Sequence, residues 1–187
     1  MKDQSILWRR VDTVGLEAAR VYGDDDGWYL DGSAIFLHER KPCRLEYLIE
    51  CDTEWRTTGA TIDGWVGDEV IAHEILVSEG GEWYLDDEEI EGVHGCVDMD
   101  LNFSPITNVL PLRRLDLQIG ESKSVTAAWL RFPLFELQRL DQTYTRLDES
   151  TIKYESRGGE FARDLKINDD GLVLDYPGYW IVELSWA

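Results

Sequence analysis

The chain has 187 residues, of which 43% are hydrophobic and 11% aromatic, with 8 Trp among them. This composition excludes an intrinsically disordered chain, because such chains lack the apolar and aromatic side chains that form a core. The 38 acidic residues against 18 Lys and Arg give a formal net charge of −20, which argues against nucleic acid and anionic bilayers as partners.

Alternation of apolar and polar residues dominates the chain and predicts strands. The clearest case is 44–52, where Leu45, Tyr47, Ile49 and Cys51 face one way and mostly charged residues face the other. Similar runs predict further strands, in chain order, at 17–22, 28–38, 55–66, 69–79, 82–86, 97–101, 115–119, 125–132, 135–146, 151–156, 161–167, 172–176 and 180–184. Because short turns rich in Gly and Asp separate them, we expect neighbouring strands to be mostly antiparallel.

One segment departs from this pattern and predicts a single short helix over 105–114. Ser104 can cap the helix, Pro105 suits its first position, and apolar side chains then recur on one helical face. Pro111 lacks an amide proton, so we expect the helix to kink or to be confined to about two turns. Because the segment is mostly apolar, we expect the sheet to wrap around it.

Cysteine usage and the absence of long apolar runs predict the setting of the chain. Cys43, Cys51 and Cys96 are odd in number and form no CxxC pair, so neither a disulfide framework nor a zinc ribbon is expected. We therefore expect a cytoplasmic protein. No apolar run reaches the length of about 20 residues that a membrane helix needs, so the chain is not expected to span a membrane. No linker or repeat divides the sequence, which predicts one domain over 1–187.

Several stretches resemble the signature of a known family. GCVDMDL at 95–101 leads into SPITNVLPLRRL at 104–115. YLIECDTEW at 47–55, QTY at 142–144 and GLVLDYPGYW at 171–180 extend the likeness over nearly the whole chain. The sequence resembles the putative glycolipid-binding family, whose signature reads roughly GCVDVDL and then TPFTNTLPIRRL. It departs from that pattern modestly, with Met99, Ser104 and Ile106.

The resemblance implies a mainly β fold: a spiral β-roll, in which a many-stranded, largely antiparallel curled sheet wraps around a single short α-helix. It also implies a homodimer and a remote likeness to envelope carriers of lipoproteins and glycolipids. We therefore expect a non-catalytic carrier or sensor that binds a glycolipid or another amphiphile. The aromatic excess fits this expectation, because Trp and Tyr can line an apolar hollow or stack on sugar rings, although a curved core uses the same residues.

Asp98 and Asp100 lie two residues apart on a predicted strand, so both carboxylates face one way at a distance of about 7 Å. This spacing is compatible with the paired carboxylates of glycoside hydrolysis or with a site for a hard cation. The alternative is structural, in which the two carboxylates cap the helix or pair with Arg113 and Arg114.

Four further residues are candidates for ligand binding. Arg113 and Arg114 end the helix, where they either offset the helix dipole or hold a ligand phosphate or carboxylate. Asn108 is either a buried hydrogen-bonding hub or a contact for a sugar head group. Arg163 shares a strand face with apolar residues, so it needs a partner such as a carboxylate or a ligand anion.

Sequence motifs support no cofactor and no metal site. The histidines show no metal-ligand spacing, and neither a P-loop, a GxGxxG fingerprint nor a Gly-x-Ser-x-Gly elbow is present. The enzyme reading is therefore the weaker one. Two alternatives to an amphiphile carrier stay open: a hydrolase or isomerase that acts on a sugar through Asp98 and Asp100, and a structural module that serves dimerisation.

Overall fold

The alternation of side chains produces a single large sheet. The computed structural model describes residues 3–186 and places most of them in the strands of one 15-stranded sheet. The strands are β1 (Gln4–Arg10), β2 (Gly15–Gly23), β3 (Trp28–His38), β4 (Lys41–Cys51), β5 (Thr57–Val66), β6 (Glu69–Val77), β7 (Trp83–Leu85), β8 (Glu88–Glu89), β9 (Asp98–Leu101), β10 (Ser122–Arg131), β11 (Glu136–Arg146), β12 (Thr151–Ser156), β13 (Phe161–Ile167), β14 (Val173–Tyr176) and β15 (Trp180–Trp186).

The strand order shows how the chain builds this sheet. It runs β8-β7-β6-β5-β4-β3-β2-β1-β15-β14-β13-β12-β11-β10-β9. The first eight strands extend outward from β1 as consecutive hairpins, and the chain then crosses to the other edge to form β9. From β10 it returns strand by strand to β15, which pairs with β1. β9 and β10 run parallel, and the other neighbouring strands run antiparallel.

The sheet curls until its β9 edge meets the start of β5. The Thr57 amide donates to the Val97 carbonyl at 3.0 Å, and the Met99 amide donates to the Thr57 hydroxyl at 3.0 Å. Met99 and Leu101 are buried on one face of β9, and Asp98 is buried on the other. An edge strand with both faces covered lies inside the roll, so the predicted spiral β-roll is confirmed.

The predicted short helix is present and enclosed. A 3-10 turn at Ile106–Asn108 leads into α1 (Val109–Leu115), and the 3-10 turn and the first α-helical residues are buried. Pro111 has no amide proton to donate to the Thr107 carbonyl, which explains why the first turn is not α-helical. No helix within residues 3–186 has the length and apolarity needed to cross a bilayer.

Three elements differ from the sequence expectations: the strand predicted at 115–119, and the strands β1 and β8, which were not predicted. The strand predicted at 115–119 is wrong: α1 continues to Leu115, and Asp116 then takes a left-handed conformation with φ of 43° that begins a turn. The strand β1 is absent from the predictions although it lies at the centre of the sheet. Its buried positions begin with Gln4 before Ile6 and Trp8, so a polar residue obscures the alternation.

Apolar side chains fill the roll on both sides of the helix. Val109 and Leu110 belong to the larger core with Trp8 and Trp83, whereas Leu112 packs against a second cluster within the C-terminal strands. Both buried indoles are satisfied, because Trp8 Nε1 donates to the Val173 carbonyl at 2.6 Å and Trp83 Nε1 donates to the Cys96 carbonyl at 3.1 Å.

One close approach in this core requires a glycine. Gly32 on β3 lies opposite Tyr47 on β4, and a Cβ atom added to Gly32 would lie 2.3 Å from the Tyr47 hydroxyl oxygen. Such a contact forces the tyrosine out of its position, so Gly32→Ala is expected to lower the free energy of unfolding by about 1–3 kcal/mol. Urea denaturation measures this change.

Gly92 provides the matched control for this substitution. A Cβ atom added there meets nothing within 4 Å, so Gly92→Ala is expected to change the free energy of unfolding by no more than about 0.5 kcal/mol. Equal stability of the two variants would contradict the packing described for Gly32.

Candidate functional site

The roll has two ends, because neighbouring strands alternate in direction. One end, called the cleft end below, carries the turns at 11–14, 39–40, 67–68, 132–135, 157–160 and 177–179. The other, called the far end, carries the turns at 24–27, 52–56, 78–82, 116–121, 147–150 and 168–172. The helical segment joins the two: Pro105 lines a cleft at the cleft end, and Arg113 lines a cleft at the far end.

The hollow at the cleft end, called the aromatic cleft below, has a volume of about 520 Å³. This volume lies within the range of about 300–1,000 Å³ that is typical of small-molecule sites. Polar groups reach it from Asp100, Ser104 and Asn108. The aromatic side chains that line it are Phe36, Phe103, Trp129, Phe132, Tyr154, Phe161, Tyr176, Tyr179 and Trp180.

Strand β9 brings Asp100 to the aromatic cleft. Alternation places Asp98 and Asp100 on one face of the strand, as predicted, and Asp100 pairs in register with Trp129 of β10. Gln142 of β11 donates a hydrogen bond of 2.6 Å from its side-chain nitrogen to one carboxylate oxygen of Asp100. The other oxygen accepts no hydrogen bond from residues 3–186, so it is free to accept one from a ligand.

Partial burial changes the acidity of Asp100. Desolvation raises its pKa from 3.8 to about 6, the hydrogen bond from Gln142 opposes this rise, and the neighbouring charge of Asp98 adds to it. The carboxyl group is therefore mostly ionised at neutral pH and mostly protonated at pH 5.

A network of hydrogen bonds connects Asp100 to the helix. Gln142 also donates to the Tyr154 hydroxyl at 3.2 Å, and its amide oxygen lies 3.1 Å from the Tyr144 hydroxyl. That hydroxyl lies 3.3 Å from the amide oxygen of Asn108, whose nitrogen donates to the Pro105 carbonyl at 3.0 Å. Asn108 is thus held at both ends of its amide while it also lines the aromatic cleft.

Four aromatic rings form one wall of the aromatic cleft. The Tyr154 ring lies 5.9 Å from Phe161 and 6.3 Å from Tyr176, both in edge-to-face arrangements. Tyr179 lies 5.4 Å from Tyr176 and 5.9 Å from Phe161. Each of the four rings therefore packs against at least two others of the wall, in contacts that favour this arrangement.

Asp98 does not share the surroundings of Asp100. It is buried, and Arg114 donates to both of its carboxylate oxygens in a bidentate ion pair. Burial raises the pKa of Asp98, and the hydrogen bond and charge of Arg114 oppose that rise. The two carboxylates therefore serve different neighbours, and of the two only Asp100 lines the aromatic cleft.

Arg113 and Arg114 lie at the far end, where they line a second cleft with a volume of about 960 Å³. The guanidinium carbon of Arg113 lies 5.5 Å from the centre of the Trp55 ring, and Arg113 forms a long ion pair of 3.7 Å with Asp170. The two arginines thus line a different cleft from Asp100 and Asn108, although Arg114 reaches Asp98, two residues from Asp100 on β9.

Arg163 supports the aromatic wall from β13. Its guanidinium carbon lies 4.7 Å from the centre of the Phe161 ring and 5.7 Å from that of Tyr179. Its side chain donates to the backbone carbonyls of Pro177 at 3.1 Å and Ala162 at 2.7 Å. Ring faces and carbonyl groups are therefore its partners in the chain, where the sequence had suggested a carboxylate or a ligand anion.

Sequence reasoning missed Glu17, the most deeply buried carboxylate near the site. It accepts a hydrogen bond of 2.6 Å from the Tyr47 hydroxyl and another from Ser104, which lines the aromatic cleft. Its second oxygen has no partner among residues 3–186. The available signal was its position on β2, where Glu17 shares the inward face with Ala19 and Val21.

A curled sheet around one short helix, with a cleft at each open end, defines a spiral β-roll protein. The chain belongs to the family described as "Putative glycolipid-binding", whose model matches residues 5–181. It is similar to the crystal structure of a DUF1089 family protein from Pseudomonas aeruginosa, with 31% sequence identity and a TM-score of 0.79. That match covers 93% of this chain and 94% of the other.

A second solved structure shares the fold alone. The β-barrel-like DUF1849 protein from Brucella abortus has 9% sequence identity and a TM-score of 0.60, with 98% of this chain and 97% of the other covered. No curated protein matches the sequence.

The burial of Glu17 predicts an unusual dependence of stability on pH. Desolvation raises its pKa from 4.5 to about 7 in the folded state, so the folded protein binds a proton that the unfolded chain has released. Stability is therefore expected to fall as pH rises from 5 to 7, with Glu17 contributing about 2 kcal/mol to that fall. Glu17→Gln is expected to remove this contribution.

Urea denaturation at pH 5 and pH 7 measures the effect in the unmodified chain and in the variant. Glu46→Gln, which removes an exposed carboxylate on β4, is the control and should keep the fall of the unmodified chain. A fall of equal size in Glu17→Gln would show that this carboxyl group does not titrate as described.

Proposed function

We propose that the protein binds an amphiphile with a sugar head group, that the sugar occupies the aromatic cleft, and that the protein acts as a carrier or sensor without catalysing a reaction. The observation that supports this most is the free oxygen of Asp100, which is presented within an aromatic cleft of about 520 Å³. Membership of the "Putative glycolipid-binding" family agrees with it.

The chemistry of the aromatic cleft suits a sugar. Aromatic rings stack on the apolar faces of sugar rings, and a carboxylate accepts hydrogen bonds from their hydroxyl groups. Trp129 and Tyr176 can supply the stacking contact, and Asp100 supplies the hydrogen-bond acceptor. A hydrogen bond to an ionised acceptor is about twice as strong as one between neutral groups, so the ionised form of Asp100 is the binding form.

The packed interior limits what enters the protein. Phe103, Ile106 and Leu110 are almost completely buried where the helix meets the sheet. An acyl chain has no equivalent place there without displacing these side chains, which costs free energy in a close-packed core. We therefore propose that the head group enters the aromatic cleft and that the acyl chains stay outside.

Glycoside hydrolysis through Asp98 and Asp100 is the weaker candidate. Hydrolysis by a pair of carboxylates needs both groups beside the scissile bond. Arg114 holds both oxygens of Asp98, and only Asp100 of this pair lines the aromatic cleft. The geometry thus favours binding.

We also propose a homodimer in the cytoplasm. One row across the outer face of the sheet holds Leu16, Ile35, Arg44, Trp65 and Val70, of which Leu16, Ile35 and Val70 are 48%, 55% and 80% exposed. Pairing this row with a second copy would remove apolar surface from water. A reducing compartment suits the three cysteines, which are free and buried.

Binding of octyl glucoside below its micelle concentration, measured by isothermal titration calorimetry, tests the proposed site. Asp100→Asn removes the charge of the acceptor, and loss of one charged hydrogen bond is expected to weaken binding about tenfold or more at pH 7.5. The unmodified protein should also bind more weakly at pH 5 than at pH 7.5, since Asp100 has a pKa of about 6. The variant should lack this pH dependence.

Two controls accompany this measurement. Asp164→Asn removes an exposed carboxylate on β13 and should bind octyl glucoside as the unmodified protein does. An octyl ether of tetraethylene glycol carries the same chain without the sugar and should bind more weakly. Equal binding of both amphiphiles, or unchanged binding by Asp100→Asn, would refute the sugar site.

The proposed dimer is tested by light scattering during gel filtration. Val70→Asp introduces a charge opposite Trp65 at the most exposed residue of the row, and desolvation of that charge should convert a dimer into a monomer. The control is Leu147→Asp, which alters an exposed residue at the far end and should leave the mass unchanged. A monomeric unmodified protein would remove this part of the proposal.

A further inference from the structure

We infer that the cleft end docks on the surface of an uncharged lipid bilayer through apolar side chains that surround the mouth of the aromatic cleft. This inference rests on the proposed function, and it explains how a membrane-held head group reaches Asp100. The side chains are those of Val11, Val14, Leu37 and Leu134, which we call the apolar rim.

Exposure is the first observation. Val11, Val14, Leu37 and Leu134 are 47%, 73%, 39% and 60% exposed. Three of them lie in the turns at 11–14 and 132–135, and Leu37 lies next to the last residue of β3. Turns are usually built from polar residues and glycine. The far-end turns also expose Ile119 and Leu147, but each of these shares its turn with two carboxylates, whereas the turns at 11–14 and 132–135 carry one and none.

Continuity with the aromatic cleft is the second observation. The Val11 amide donates to the carbonyl of Tyr179, a residue of the aromatic wall, at 2.9 Å. The Leu37 amide donates to the Val14 carbonyl at 2.9 Å, which places Val14, the last residue of the turn at 11–14, beside the end of β3.

The rim continues from Leu37 to the turn at 132–135. The ring of His38 lies 4.8 Å from that of Phe132, and both residues line the aromatic cleft. Leu134 follows two residues later. The four aliphatic side chains therefore belong to segments that border a single opening.

The distribution of charge is the third observation. Each turn at the far end carries two or three carboxylates, with Arg56 as the one basic residue in those turns. Of the six cleft-end turns given above, none carries more than one, and Glu39 and Glu160 are each accompanied by an arginine in the same turn. The turn between β7 and β8 adds Asp86 and Asp87 on the same side of the sheet, where Asp86 contacts His73 beside Phe135. The far end therefore carries the larger share of the carboxylates in the turns.

This asymmetry identifies the partner surface. A chain with a net charge of −20 is repelled by anionic lipids, and the repulsion is smallest when the acidic far end points away from the bilayer. Insertion of aliphatic turn tips between head groups needs no charge on the lipid. An uncharged bilayer that contains a neutral glycolipid is therefore the surface that the cleft end fits.

Flotation with phosphatidylcholine vesicles, with and without glucosylceramide, tests the inference. The unmodified protein should float with both, more with glucosylceramide, and less with vesicles of phosphatidylglycerol. The double variant Val14→Asp/Leu134→Asp should lower the floated fraction at least fivefold. The matched control Ile119→Asp/Leu147→Asp changes two aliphatic residues at the far end, 61% and 44% exposed, and should float normally.

Octyl glucoside binding, measured for the unmodified protein and both double variants, distinguishes a failure of this inference from a failure of the proposed function. Retention of that binding by the rim variant shows that its fold and aromatic cleft are intact. Flotation that depends on the rim, in a protein that fails to bind octyl glucoside, would refute the sugar site and support the docking surface.

Other results would overturn the docking surface. These are no flotation of the unmodified protein, equal loss in both double variants, or unchanged flotation of the rim variant. A rim variant that floats normally but changes its mass in light scattering would assign the rim to a protein contact and not to lipid.

Discussion

Burial of one apolar helical segment is the constraint on which the rest of this structure depends. The segment 106–115 is too apolar to lie on a surface, so the sheet must cover it from more than one side. A flat sheet cannot do so, and the strands curl until β9 lies against β5. Curling leaves the roll open at two ends, and the aromatic cleft is the opening beside Pro105, where the helical segment starts.

The same enclosure accounts for the polar groups of the site. Carboxylates and amides that enter a low-dielectric interior require partners, and the pairs of Asp98 with Arg114 and of Asn108 with Tyr144 meet that requirement. Asp100 is different because it retains one oxygen for which residues 3–186 supply no donor. A half-buried acceptor among packed aromatic rings is a feature that a packed core alone does not require.

Much of the fold was predictable because its signals are local. Alternation along the strands and the apolar, proline-containing segment predicted a strand-rich chain with one enclosed helix, and the resemblance on 95–115 predicted the roll. Local signals failed where the inward face carries polar residues, as in β1, and where the helix ran on to Leu115. The site was harder to predict from the sequence. Asp100, Gln142 and Tyr176 meet because of the strand order, which depends on contacts between distant segments. Glu17 belongs to no recognisable sequence motif.

The central claim is that a sugar head group binds at the cleft end of the roll. Nitrogen-15 NMR of the tryptophan indole groups during titration with octyl glucoside tests it directly, because tryptophans mark each region of the structure. The account predicts shifts for Trp129 and Trp180, which line the aromatic cleft, and none for the buried Trp8 and Trp83. Shifts confined to Trp55, which lines the cleft at the far end, or no shifts at all, would contradict it.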